Sequence, residues 1–92
     1  MIVSFCHKGL EQLYRDGSKR GVQPAHAPKL LRILSTLDVA ATPADLALPS
    51  FRLHELKGDM ASHWSIWVNG NWRITFRFVG TDIELVDYQD YH

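Results

Sequence analysis

The spacing of apolar residues changes once along the chain, near Phe51. Before that point it is helical. Leu10, Leu13 and Tyr14 fall at i, i+3 and i+4, on one face of a helix, while Lys8, Glu11 and Arg15 point away and Gly17 marks the end. A second helix starts between Pro24 and Pro28, because proline is tolerated only in a first turn. Its stripe is Ala27, Leu30, Leu31, Leu34 and Leu37, with Lys29 and Arg32 outside it. Ahead of both helices, Ile2, Val3 and Phe5 predict a short strand. Residues 39–50 read as a connector in which Thr42, Pro43 and Asp45 have the arrangement of an N-cap and predict a single helical turn.

From Phe51 onward the period is 2, which predicts strands over 51–56, 62–68, 72–79 and 83–88. Asn69-Gly70 predicts a type I′ turn between the second and third of these, and Gly80-Thr81 closes the next hairpin. On the strand that begins at Trp72, Trp72, Ile74, Phe76 and Phe78 share one face, and Asn71, Arg73, Thr75 and Arg77 share the other. The expected fold class is α+β: an antiparallel sheet of about four to five strands with two N-terminal helices packed on one face. The opposite face is left partly open and carries at least two arginines. A chain of 92 residues is the length of one domain, spanning 1–92.

Composition narrows the class without naming a function. Apolar residues make up 46% and charged residues 22%, which is ordinary globular usage. One cysteine, Cys6, excludes a disulfide framework and a cysteine-built metal site, and reads as a small packed residue. No apolar run reaches the roughly 20 residues of a membrane helix, and residues 1–10 lack the pattern of a secretory signal; a cytoplasmic protein with no membrane partner is expected. The net charge of zero conceals an asymmetry. Residues 1–32 carry Lys8, Arg15, Lys19, Arg20, Lys29 and Arg32 against Glu11 and Asp16, six basic against two acidic, a net of +4. Phosphate attraction depends on a local basic patch of this kind rather than on the whole-chain sum.

Five histidines are present, none in a metal-ligand spacing, so neither metal nor cofactor is implied. There is no GxSxG elbow, Walker loop or GxGxxG. What remains is a set near strand ends and the last residues: His54, Lys57, Arg73, Arg77, Asp90, Tyr91 and His92. These suit cleavage of a phosphodiester. RNA supplies its own nucleophile, the 2′-hydroxyl, so a metal-free nuclease needs a base for that proton, an acid for the 5′ oxygen, and cations for the charge that builds on phosphate. An imidazole titrating near about 6.5 fits either proton role, a guanidinium fork fits phosphate oxygens, and tyrosine stacks on bases. Each residue also has a plainer explanation. His54, Arg73 and Arg77 suit the solvated face of an amphipathic strand, and the three tryptophans suit packing, although Trp67 has the wrong parity for the apolar face.

Three separated segments, FRLHELKGD over 51–59, WSIWVNGNWRITFRF over 64–78 and DYQDYH over 87–92, resemble the HigB-type toxins of bacterial type II toxin–antitoxin pairs, a branch of the RelE superfamily. The opening IVSFCHKGL is similar to their first strand and helix start. The resemblance implies a RelE-like microbial RNase fold and an endoribonuclease that cleaves mRNA during translation, in the ribosomal A site. It implies a HigA-type antitoxin, a helix-turn-helix protein through which alone operator DNA is met. His54 and His92 then take proton-transfer or charge-stabilising positions, with Asp90 and Tyr91 beside them. Lys57 and Arg73 stabilise the phosphate, and Asn71 and Arg77 give nearby support. The basic residues Lys8, Arg15, Lys19, Arg20, Lys29 and Arg32 become candidate contacts to ribosomal RNA. The rival within the superfamily is a ParE-like toxin that binds a protein such as DNA gyrase and has no need of the histidine, lysine and arginine set.

Overall fold

The computed structural model describes residues 1–91. Helix α1 spans Lys8–Asp16. His7 caps it, its imidazole accepting from the Leu10 N–H, and Gly17 ends it at φ 72°, the left-handed conformation a glycine takes without strain. A 3-10 turn at Pro24–His26 runs directly into helix α2, Ala27–Val39, so the proline positions fall in first turns as expected. The buried stripe of α2 is Ala27, Leu30, Ile33, Leu34 and Leu37. Leu31, expected on this stripe, is 40% exposed. Ile33 replaces it because i, i+3, i+4 and i+7 from Leu30 close a narrower arc, which leaves Leu31 about 100° away. Gly9 and Gly21 bring α1 and the following loop into backbone contact: a Cβ on Gly9 would lie 2.5 Å from the Gly21 carbonyl oxygen. The turn expected near Thr42 is a 3-10 turn over Pro43–Leu46 closed by a Thr42–Asp45 capping box.

The sheet comprises β1 (His54–Glu55), β2 (His63–Asn69), β3 (Trp72–Val79) and β4 (Asp82–Asp90), in the order β1-β2-β3-β4, with every neighbouring pair antiparallel. Four expectations need correction. The strand expected over 51–56 is cut to two residues, because Pro49–Phe51 takes a 3-10 turn and Arg52 follows it in the left-handed conformation at φ 46°. The last strand is longer than 83–88. At the β2–β3 turn Gly70 has φ 55° but Asn69 is not left-handed, so the turn is not type I′ and a register irregularity follows Trp67. The first strand is reduced to two isolated parallel bridges, Ile2 to Ile83 and Phe5 to Val86.

Those bridges explain a further irregularity. Leu85 sits at φ 57° in the middle of β4, where the register with β3 shifts between Thr75 and Arg77. The bulge turns two successive N–H groups toward the N-terminal segment: Leu85 donates to the Ser4 hydroxyl at 2.9 Å and Val86 to the Ser4 carbonyl at 3.2 Å. Both helices pack on one side of the sheet. Leu10, Leu13, Leu30, Ile33, Leu34 and Leu37 form one cluster with Ile66, Ile74, Phe76, Val86 and Tyr88. No helix among the described residues is long and apolar enough to cross a membrane.

Candidate active site

The ladder registers set which side chains share the face that the helices do not cover. His54 pairs with Ser65, Ser65 with Thr75, and Thr75 with Asp87, which makes one row across all four strands. The adjoining row runs Trp67, Arg73, Gln89. Because directly paired residues point the same way, these rows form a continuous surface. Its centre is closed: Ser65 is 2% and Thr75 1% exposed. Gln89 bridges the floor, its Nε2 donating to the Thr75 hydroxyl at 3.1 Å and to the Asp87 carboxylate at 2.9 Å. Small polar residues therefore make the floor, and larger charged ones stand around it.

At one side of this floor lies an open pocket of about 390 Å³ lined by Arg52, His54, Leu56, Ser65, Arg73 and Tyr91. Three candidates from the sequence, His54, Arg73 and Tyr91, meet here. Tyr91 is brought back by its N–H donating to the Asn71 carbonyl at 2.8 Å, which ties the segment after β4 to the β2–β3 turn. The Arg73 guanidinium lies 6.0 Å from the centre of the Tyr91 ring. His54 and Arg73 sit two strands apart, about 10 Å at the backbone, and both line the pocket. An imidazole, a phenol and two guanidiniums around an open cavity can transfer protons and hold a phosphate together.

The other candidates are spread more widely. Lys57 is exposed and precedes the Gly58–Met60 turn beyond β1, outside the pocket lining. Asp90 is the last residue of β4, paired with Trp72 on the alternate side of the strand, and it has an interaction of its own. His92 lies outside the described residues. Asn71 contributes its main-chain carbonyl to Tyr91. Arg77 is ion-paired with Glu84, its neighbour in the ladder, and does not line the pocket. Of the basic residues, Lys8 starts α1, Arg15 is paired with Glu11 at 2.8 Å, and Lys19 and Arg20 stand on the exposed loop after α1. Lys29 and Arg32 rise from α2.

Two corrections and one omission emerge here. Thr75, placed by parity on the open face, is buried by its neighbours on that face. Cys6 is exposed rather than packed, and partial desolvation followed by the Asp87 charge pushes its thiol up, the opposite of an activated nucleophile. Arg52 was not among the candidates, although the alternation Arg52, His54, Leu56 places all three on one face, and all three line the pocket.

Comparison with known proteins identifies the group to which this site belongs. A sequence profile described as "RelE-like toxin of type II toxin-antitoxin system HigB" matches residues 3–92. The chain is 41% identical over 92 residues to the "Endoribonuclease HigB" of Proteus vulgaris, with 100% of both chains covered. It is 34% identical over 94 residues to the "Toxin HigB-1" of Vibrio cholerae serotype O1, covering 100% of this chain and 98% of that protein. With a match over nearly its whole length and these two full-length relatives, the chain belongs to the HigB-like family of RelE-like toxins of type II toxin–antitoxin systems.

Proposed function

We propose that the protein is an endoribonuclease that cleaves mRNA in the ribosomal A site, without a metal, by attack of the RNA 2′-hydroxyl on the adjacent phosphorus. The new 2′ O–P bond forms as the 5′ O–P bond breaks, leaving a 2′,3′-cyclic phosphate and a 5′-hydroxyl. One imidazole removes the 2′ proton and a second acid supplies the proton that the 5′ oxygen takes. His54 fills one of these roles and His92 the other, with Asp90 acting beside them. Arg73 stabilises the charge that grows on the phosphate oxygens, Lys57 adds a mobile cation, and Tyr91 stacks against a base next to the cut. The ribosome supplies the alignment of 2′ oxygen and phosphorus, which accounts for a compact site with few groups. The toxin acts in the cytoplasm and is held inactive by a HigA-type antitoxin, through which it meets operator DNA.

The observation that carries this reading is the convergence of His54, Arg73 and Tyr91, from three separate stretches of sequence, on one open pocket. The relative from Proteus vulgaris named as an endoribonuclease supports it independently. The test is to map mRNA 5′ ends in translating cells that express the wild-type chain or His54→Ala. New ends within ribosome-protected codons are expected with the wild type and absent with the variant. Growth arrest that persists in His54→Ala without new ends would instead favour a toxin that binds a protein target.

A further inference from the structure

Next to the pocket, the same face carries a cationic cluster that the cleavage step leaves unused. Arg52 lines the pocket, and its guanidinium carbon lies 4.2 Å from the centre of the Trp67 ring. Lys29 reaches the same indole from α2, its Nζ 4.2 Å from the ring centre while donating to the Ser50 carbonyl at 2.9 Å. Arg32, one turn further along α2, stands 5.9 Å from the centre of the Phe51 ring. The indole is itself fixed, its Nε1 donating to the Gly70 carbonyl at 3.0 Å. Helix, 3-10 turn, strand and hairpin turn thus converge to hold two cations on one ring.

No ion pair among the described residues joins a carboxylate to Lys29, Arg32 or Arg52. The ion pairs among the described residues join Met1 to Asp82, Arg15 to Glu11 and Arg77 to Glu84, all elsewhere. Partial burial, then the charges of Arg52 and Arg32, hold the Lys29 ammonium below the ordinary lysine range. Arg52 also occupies the left-handed region, at φ 46° and ψ 51°, where a side chain with a Cβ is rarely found. The negative face of the indole offsets part of this repulsion and holds both side chains in place. Crowded like charge on a strained residue beside an open pocket is the arrangement expected where the counter-charge belongs to a ligand. Cations occupy the Trp67 ring, so it serves as their support and not as a platform for a base.

We propose that Lys29 and Arg52, held on the Trp67 indole, form a second phosphate-binding subsite that grips the RNA backbone next to the scissile linkage, with Arg32 at its outer end. This rests on the ribonuclease reading above, and it assigns Lys29 to the substrate strand instead of to ribosomal RNA. The subsite extends the footprint of the pocket by at least one phosphate, so it acts on RNA long enough to span both.

The test uses two ligands on the full chain: a fluorescent RNA hexamer whose 2′ oxygens are methylated to block cleavage, and a dinucleotide of the same chemistry that fills the pocket alone. Lys29→Gln and Arg52→Gln are each expected to weaken hexamer binding roughly threefold to tenfold and to lower the slope of log affinity against log salt by about 0.7. Dinucleotide binding stays unchanged in Lys29→Gln. Trp67→Phe, which keeps an aromatic face, retains hexamer affinity, and Trp67→Leu loses it. Arg73→Gln weakens both ligands. Unchanged hexamer affinity and salt slope in the Lys29→Gln/Arg52→Gln double variant overturns the subsite, and if Arg73→Gln still weakens both ligands the ribonuclease reading survives. Failure of the wild type to bind either RNA, or indifference to Arg73→Gln, overturns both.

Discussion

The two faces of the sheet are built to different rules. On the helix side, Ile66, Ile74, Phe76 and Val86 have no exposed surface and meet Leu10, Leu30, Ile33 and Leu37, which are equally buried. On the other side the centre is almost as well closed, but by Ser65 and Thr75, with Gln89 tying Thr75 to Asp87. No buried side-chain polar atom among the described residues lacks a partner. Apolar packing therefore supplies cohesion on one face. On the other, a satisfied polar floor leaves the charged groups to stand around it, with the Trp67 ring supporting Lys29 and Arg52. Folding and chemistry are thereby assigned to opposite sides of the same four strands, and substitutions should separate them.

The largest expected effect tests the open face. His54→Ala should lower RNA cleavage by about 10²- to 10⁴-fold, as for loss of a general acid or base, while a urea melt moves by no more than about 0.5 kcal/mol. A variant that unfolds instead breaks the separation. Next comes the helix face: Phe76→Ala, at a side chain with no exposed surface, should cost about 3–5 kcal/mol by the same melt. That is a large share of a small domain's whole stability, about 5–15 kcal/mol, and it should abolish toxicity only through loss of folded protein.

A smaller effect sharpens the contrast at the floor. Thr75→Val keeps the shape but removes the acceptor for Gln89, and should cost about 1 kcal/mol in the melt and displace neither His54 nor Arg73. The smallest lies away from both faces, in the Pro43–Leu46 turn, where the Ala41 and Thr42 N–H groups hold the Asp45 carboxyl below the ordinary aspartate range. A carboxyl lowered in the folded state stabilises above its unfolded pKa and loses that contribution as pH falls through its folded value. The stability difference between wild type and Asp45→Ala should therefore be slight at neutral pH and vanish on acidification, as followed by thermal melts.

Sequence alone determined the features that depend on near neighbours. The 3.6 period over Leu10, Leu13 and Tyr14 located α1, Gly17 its end, and the period of 2 sorted Trp72, Ile74 and Phe76 from Arg73 and Arg77. The same alternation joins Arg52 to His54, so that part of the site was legible. It stayed hidden because an exposed arginine ahead of a short strand has the same pattern whether or not a pocket lies beside it.

Tertiary structure alone decided which cations are neutralised and which are not. Arg73 and Arg77 are equivalent by parity, yet the β3–β4 register sets Glu84 beside Arg77 and Gln89 beside Arg73, so Arg77 is ion-paired while Arg73 lines the pocket. The Leu85 bulge and the meeting of Lys29 with Arg52 over Trp67 were likewise invisible, and at Gly70 the position of the turn was legible but its type was not. Periodicity is a property of a few adjacent residues and reports a face; register and cross-chain contact join residues tens of positions apart and are settled only when the whole core closes.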